Sequence, residues 1–138
     1  MRYRSRALLS AYAAVVLVIT WWPSPQSSAA PRWEQSVLEL VRGLGVPATM
    51  PVLEALANVA MFFPLGVLFA LVIPVRGWRA GKVVAAAAGA GAGFSTVIEL
   101  VQLGIPGRYS TLQDVVMNTI GGVVGAGLVA GLRATRGR

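Results

Sequence analysis

Four long apolar segments constrain this chain more than any other feature of its sequence. They run from about Ala7 to Trp22, Leu53 to Ile73, Val83 to Ile105, and Leu112 to Leu132. A helix that crosses a bilayer needs roughly 20 apolar residues, with a range of about 17–25. The last three segments meet this requirement and the first is marginal. The sequence therefore predicts an all-α, membrane-embedded bundle of about four transmembrane helices.

The composition agrees with a membrane protein and excludes several functional classes. The 138 residues are 56% hydrophobic and only 12% charged, whereas a soluble domain usually carries about 25% charged residues. We therefore treat residues 1–138 as one integral membrane domain. The chain has neither Cys nor His. Their absence excludes disulfides and thiol catalysis, and it removes the commonest general base and the commonest metal ligand.

The basic residues predict which ends of the segments face the cytoplasm. They form three clusters, which precede the first segment, separate the second from the third, and follow the fourth. The members are Arg2, Arg4 and Arg6, then Arg76, Arg79 and Lys82, then Arg133, Arg136 and Arg138. With four spans, all three clusters lie on one side, which the positive-inside rule assigns to the cytoplasm. We expect both termini inside, and we attribute the net charge of +7 to topology rather than to nucleic-acid binding.

The N-terminus has two interpretations. Residues 1–22 form a first span if they are retained. A basic start, an apolar run and a small-residue site ending at Ala30 also resemble a secretory signal peptide. Pro31 would follow the cut and is unfavourable for a signal peptidase, so we favour a retained helix.

The loop of residues 23–52 lies outside in this topology and carries an amphipathic pattern. Its apolar residues share one helical face: Trp33, Val37, Leu40, Val41 and Leu44. This spacing predicts a short helix, which Gly43, Gly45 and Pro47 bring to an end. We expect the helix to lie on the outer membrane surface or on the bundle. A covering role and a gating role are both open.

Acidic residues lie inside the apolar segments, where they are costly. Three of them have an amide partner on the same helical face: Glu54 with Asn58, Glu99 with Gln102, and Asp114 with Asn118. A carboxylate in hydrocarbon costs about 2.5–3.5 kcal/mol on insertion scales, so it normally faces a bundle interior or a wet cavity. All six residues fall within roughly 10 Å of the outer ends of their helices. The sequence predicts that three helices bring polar groups to one level near the outer face.

Two further residues extend this predicted cluster. Arg108 is the basic residue of the short loop between the third and fourth segments, and a guanidinium can clamp a carboxylate or phosphate through two parallel hydrogen bonds. Ser95 lies one turn before Glu99 on the same face. The amides and Ser95 could instead join helices as hydrogen-bonding glue, and Glu54 could lie in interfacial water. For Glu99 and Asp114 we favour a function, because an acid is a costly way to join helices.

Proline and glycine predict the geometry of the helices. Pro64 removes an amide donor and clashes with the preceding turn, so the second segment should kink near Pro64 and Gly66. Glycines four residues apart let helix backbones approach closely. Three such pairs occur within the apolar segments: Gly89 and Gly93, Gly121 and Gly125, and Gly127 and Gly131. We expect these pairs to pack within the bundle, and dimerisation is open.

The ordered motifs resemble the VanZ-like family. They are Asn58…Phe63-Pro64-Leu65-Gly66, then Ser95…Glu99…Gln102, then Gly107-Arg108…Asp114…Asn118…Gly121. The resemblance covers residues 58–125 and implies a small polytopic protein of the bacterial cytoplasmic membrane. The family's namesake is associated with resistance to the glycopeptide teicoplanin, so the resemblance also implies a link to that antibiotic. It implies no settled molecular activity.

Three functions are compatible with these residues. The first is an outer-leaflet site for an amphiphile: a lipid headgroup, a lipid-linked cell-wall precursor or a lipophilic antibiotic. Arg108 would contact an anionic group and the amides would hydrogen-bond it, while Glu99 and Asp114 would orient Arg108 or meet a cationic amine. The second is a structural or partner subunit of a membrane complex.

The third function is an intramembrane enzyme that acts on a lipid-linked substrate. It would use the paired carboxylates as acid and base, or hold a divalent metal between Glu99 and Asp114. The chain has no recognisable nucleophile motif, which argues against this function. We expect membrane lipids as partners, no cofactor and no nucleic acid.

Overall fold

In a computed structural model, the protein is helical. The structure describes residues 2–22, 32–43, 45, 49–73, 79–106 and 110–136, and no strand occurs within these ranges. The helices are α1 (Arg2–Trp21), α2 (Arg32–Gly43), α3 (Met50–Val72), α4 (Ala80–Gln102) and α5 (Leu112–Arg136). Four of them, α1, α3, α4 and α5, are long and apolar enough to cross a membrane. The chain is a multi-pass, all-α membrane protein, as its apolar segments predict.

Helix α5 packs against both α3 and α4, and α3 also contacts α1 and α4. α3 and α5 run parallel, because Asn58 meets Asp114 near their starts and Ala70 meets Arg133 near their ends. α4 runs antiparallel to both. We call the end where α1 and α4 finish and α3 and α5 begin the polar end of the bundle. Its predicted position at the outer face stays a prediction.

Helix α1 packs against α3 and α4 from Leu9 to Trp21. Val16 is buried in one cluster with Phe62 of α3 and Ile98 of α4. The Tyr12 hydroxyl donates a 3.1 Å hydrogen bond to the Met61 carbonyl. These contacts cover apolar surface of α3 and α4, and the retention of α1 as a first span stays a prediction.

Glycines allow α3 and α5 to approach at backbone contact. A Cβ atom at Gly121 or Gly125 would collide with main-chain atoms of α3, and one at Gly66 would collide with main-chain atoms of α5. Only glycine permits this separation. α3 continues as one helix through Pro64, and the predicted kink there stays a prediction. Gly66 therefore serves the contact between α3 and α5.

The structure differs from the sequence-based expectation at the other glycine pairs. A Cβ atom added at Gly89 or Gly93 of α4 would meet nothing within 4 Å, and the same holds at Gly127 and Gly131 of α5. Gly89 and Gly93 are exposed on the outside of the bundle. The four-residue spacing predicts close packing but does not say which face of a helix points inward. These pairs do not pack against another described helix.

Helix α2 has the predicted amphipathic character. It ends at Gly43, and Gly45 then adopts a φ of +81°, a conformation in which glycine typically stops a helix. Leu40 is 66% exposed, and within the described ranges α2 makes no extended contact with a spanning helix. Whether α2 lies on the membrane surface or on the bundle stays a prediction. Three predicted apolar residues lie outside the described side chains: Trp33, Val37 and Leu44.

Candidate functional site

A cluster of hydrogen-bonded polar side chains joins α3, α4 and α5 at the polar end. The Asn58 amide donates a 2.6 Å hydrogen bond to Oδ1 of Asp114. The Thr111 hydroxyl donates a 2.7 Å hydrogen bond to the other oxygen, Oδ2. The backbone N–H of Thr111 donates a 3.1 Å hydrogen bond to Oε2 of Glu99. Thr111 thus links the two carboxylates, and we call Asn58, Glu99, Thr111 and Asp114 the acidic cluster.

The start of α5 explains how Asp114 is held. Thr111 directly precedes the helix, and its hydroxyl accepts a 3.2 Å hydrogen bond from the backbone N–H of Asp114. This contact is one half of a capping box, in which the side chain of a Ser or Thr before the helix accepts a hydrogen bond from the backbone N–H three residues later. The other half differs, because the Thr111 N–H donates to Glu99 instead of Asp114. A carboxylate in the first turn also interacts favourably with the helix dipole. Sequence reasoning missed Thr111, although its spacing from Asp114 before an apolar run is the signal that would have found it.

Glu99 is the most enclosed acid of this cluster. It lies in the last turn of α4 and is only 7% exposed. The Ser110 side chain also hydrogen-bonds its carboxyl group, and the Asp114 carboxylate is close enough to act on it as a like charge. Two neighbouring acids in a partly desolvated place are costly unless hydrogen bonds or a cation offset them. Arg108 lies outside the described residues, so its ion pair with a carboxylate stays a prediction.

A second polar contact lies one turn deeper, between α4 and α5. The Asn118 amide donates a 2.8 Å hydrogen bond to the Ser95 hydroxyl oxygen. The two residues are 2% and 0% exposed, respectively. The contact joins the helices, as expected of polar glue in a membrane. The carbonyl oxygen Oδ1 of Asn118 has no hydrogen-bond partner among the described residues, and a buried acceptor in that state costs about 1–3 kcal/mol.

Gln102 takes part in a separate contact, between α4 and α1. Its amide donates a 2.8 Å hydrogen bond to the backbone carbonyl of Thr20. Both residues are buried. The Thr20 carbonyl belongs to the last turn of α1, where carbonyls lack a partner within the helix. Gln102 therefore caps the end of α1, and its contact with a ligand stays a prediction.

Glu54 is the third of the predicted acids, and it is not a member of the acidic cluster. Glu54 is exposed near the start of α3, as expected of an acid in interfacial water. Within the described part of the chain, no three acidic side chains are grouped so that they could hold a metal ion. The acidic cluster contributes two carboxylates to one place, together with hydroxyl and amide donors. Such a set can bind a cation or a polar headgroup.

Comparison with known proteins identifies a family. A family model described as VanZ/LLP1 matches residues 9–133. The match includes most of α1, so it extends well beyond the residues that carry the motifs. No curated protein and no solved structure gives a significant match.

Proposed function

This chain belongs to the VanZ/LLP1 family, and from the geometry of its polar end we propose that it binds the headgroup of an amphiphile in the outer leaflet. One observation carries the proposal: Glu99, 7% exposed, and a second carboxylate, Asp114, are both hydrogen-bonded to Thr111. Hydrogen bonds between neutral side chains would join these helices at a lower cost in free energy. The retention of two acids supports a charged partner at this place.

The proposed partner group is a phosphate, which both a phospholipid and a lipid-linked cell-wall precursor carry. Arg108 precedes Thr111 by three residues, and Thr111 contacts both acids. As the sequence predicts, Arg108 would supply the positive charge for the phosphate. The carboxylates would orient its planar fork, and the fork would bind the phosphate through two parallel hydrogen bonds.

Asn118 adds a contact of a different kind. Its unpaired carbonyl oxygen is buried next to α4 and can accept a hydrogen bond from a hydroxyl or an amine. Headgroups of lipids and of lipid-linked sugars carry such donors. A ligand donor at this oxygen would remove the cost of an unsatisfied acceptor.

A structural role is the second candidate, and specific contacts favour it. The amides of Asn58, Gln102 and Asn118 each donate to another helix of the bundle. A polar network of this kind can lock the helices in one register without any ligand. The chain would then act as a partner subunit of a membrane complex.

Lipid co-purification separates the two candidates. The protein is extracted with its surrounding lipid, and the lipids retained by the wild type and by Glu99→Gln are identified by mass spectrometry. Glu39→Gln is the matched control, because Glu39 is an exposed acid on α2. We expect one phosphate-bearing lipid to be enriched with the wild type and with Glu39→Gln, and to be lost from Glu99→Gln.

The melting temperature of each variant is measured on the same samples. Equal lipid retention by all three proteins, with a lower melting temperature for Glu99→Gln, would favour the structural role.

Added teicoplanin tests the lipophilic antibiotic as a ligand. If it shares the site, it should displace the retained lipid from the wild type.

A further inference from the structure

An apolar cavity lies inside the bundle, between α1, α3, α4 and α5. Its volume is about 130 Å³ and every lining residue is apolar. Residues that define its walls include Leu9, Ala13, Phe62, Ala90, Gly91 and Phe94. Ala90 is exposed although it lines the cavity. The cavity therefore opens to the outside of the bundle beside α4.

Small residues explain why this space is not filled. α4 presents Ala87, Ala90 and Gly91 to the cavity, and α1 presents Ala13. A Cβ atom added at Gly91 would meet only one atom, at 3.9 Å. At these positions the wall has no side chain that could reach across the gap to the larger residues opposite, such as Phe62. Atoms that line an empty cavity make no van der Waals contacts on the cavity side. An apolar molecule of suitable shape would make those contacts if it filled the cavity.

The cavity lies deeper in the bundle than the acidic cluster and is close to it. Phe62 and Phe94 form its end nearest the cluster, with ring centroids 6.0 Å apart. Along α4, the lining residues lie 5–12 positions before Glu99, which corresponds to roughly 8–18 Å at the rise of a helix. In a hydrocarbon core of about 30 Å, this depth is close to the middle. A lipid with its headgroup at the acidic cluster has its acyl chains at this depth.

We propose that the cavity holds one acyl chain of the lipid whose headgroup occupies the acidic cluster, an inference that rests on the proposed function. An apolar cavity of about 150 Å³ stays free of water and binds benzene, so the present volume suits a segment of a single chain. Its side opening faces the core of the bilayer, which consists mainly of lipid acyl chains. An acyl chain loses no hydration when it enters, and its gain comes from contacts with the walls.

Photolabelling in nanodiscs tests the inference. The probe is a phosphatidylglycerol that carries a diazirine in the middle of one acyl chain, and labelled residues are mapped by mass spectrometry. We expect labels on α1 near Leu9 and Ala13 and on α4 near Ala90. Ala90→Phe should fill the opening and reduce this labelling several-fold. Gly89→Phe is the control, because Gly89 is at the same depth and a Cβ atom there meets nothing within 4 Å.

A third variant keeps the test informative if Ala90→Phe destabilises the protein. Leu9→Ala widens the cavity from the α1 side and should raise labelling of α4. Labelling that is unchanged in both Ala90→Phe and Leu9→Ala would overturn the inference, even if Glu99→Gln still loses its co-purified lipid. Labelling that persists in full in Glu99→Gln would show that chain and headgroup do not belong to one lipid, and would also overturn it. If Ala90→Phe removes labelling while Glu99→Gln retains its co-purified lipid, the headgroup proposal fails and the link between headgroup and chain fails with it, although the cavity still takes an acyl chain.

Discussion

Asn58 on α3 and Asp114 on α5 are 56 residues apart in sequence and are joined by a 2.6 Å hydrogen bond at the polar end. At the opposite end of the same helix pair, the Arg133 guanidinium donates a 2.9 Å hydrogen bond to the Ala70 carbonyl. Between these contacts, Gly121 and Gly125 bring α5 against the backbone of α3. The pair of helices that carries the acidic cluster is thus held at both ends and along its middle. Such a rigid support suits a site whose side chains must stay in place.

The first prediction concerns the Asn58–Asp114 contact. Asn58→Ala removes a donor from the Asp114 carboxylate, and hydrogen bonds to charged groups contribute about 1.5–3 kcal/mol. We expect a loss of stability of that order, measured by denaturant titration in micelles. Thr96→Ala is the control, because the Thr96 hydroxyl is exposed and bonds only within α4, to the Ala92 carbonyl. Equal effects of the two changes would mean that the contact between α3 and α5 contributes nothing of its own.

The second prediction compares two glycines. Gly125→Ala places a methyl group against the backbone of α3, and overpacking of this kind costs about 1–3 kcal/mol. Gly89→Ala meets open space and should leave stability unchanged or raise it by up to about 1 kcal/mol, because alanine has the higher helix propensity. Thermal unfolding of both variants provides the comparison. A stable Gly125→Ala protein would contradict the close approach of α3 and α5.

The third prediction concerns Arg108, which lies outside the described residues. Arg108→Lys keeps the charge but loses the planar fork. If the fork binds a phosphate, Arg108→Lys should unfold at the temperature of the wild type and still lose the co-purified lipid. Arg108→Ala should lose the lipid and also some stability, because the two acids lose their cation. Full lipid retention by Arg108→Lys would mean that this position supplies only general positive charge, or nothing.

The fourth prediction concerns topology. The chain has no native cysteine, so single cysteines report without background. Ser27→Cys should react with a membrane-impermeant thiol reagent in intact cells, and Arg136→Cys should react only after the membrane is opened. The reverse pattern would place the acidic cluster on the cytoplasmic side and refute an outer-leaflet site.

The sequence by itself determined the number and extent of the helices. Segment length and polarity are local properties, and in hydrocarbon the backbone must satisfy its own hydrogen bonds. The four spans and the amphipathic α2 could therefore be predicted without knowing how they pack. The acids at one end of three spans could be predicted as well, because the direction of each helix follows from the order of the spans.

Only the tertiary structure decided which polar groups meet. Ser95 and Gln102 lie on the same face of α4 as Glu99, yet their partners differ: Ser95 pairs with Asn118, and Gln102 caps α1 at Thr20. Thr111 joins Glu99 to Asp114 from a position outside the helical pattern. The glycine pairs show the same division, since Gly121 and Gly125 contact α3 while Gly89 and Gly93 face outward. Periodicity shows which residues share a face of a helix. Which face points into the bundle is decided by packing against neighbouring helices, and that packing involves residues far apart in the chain.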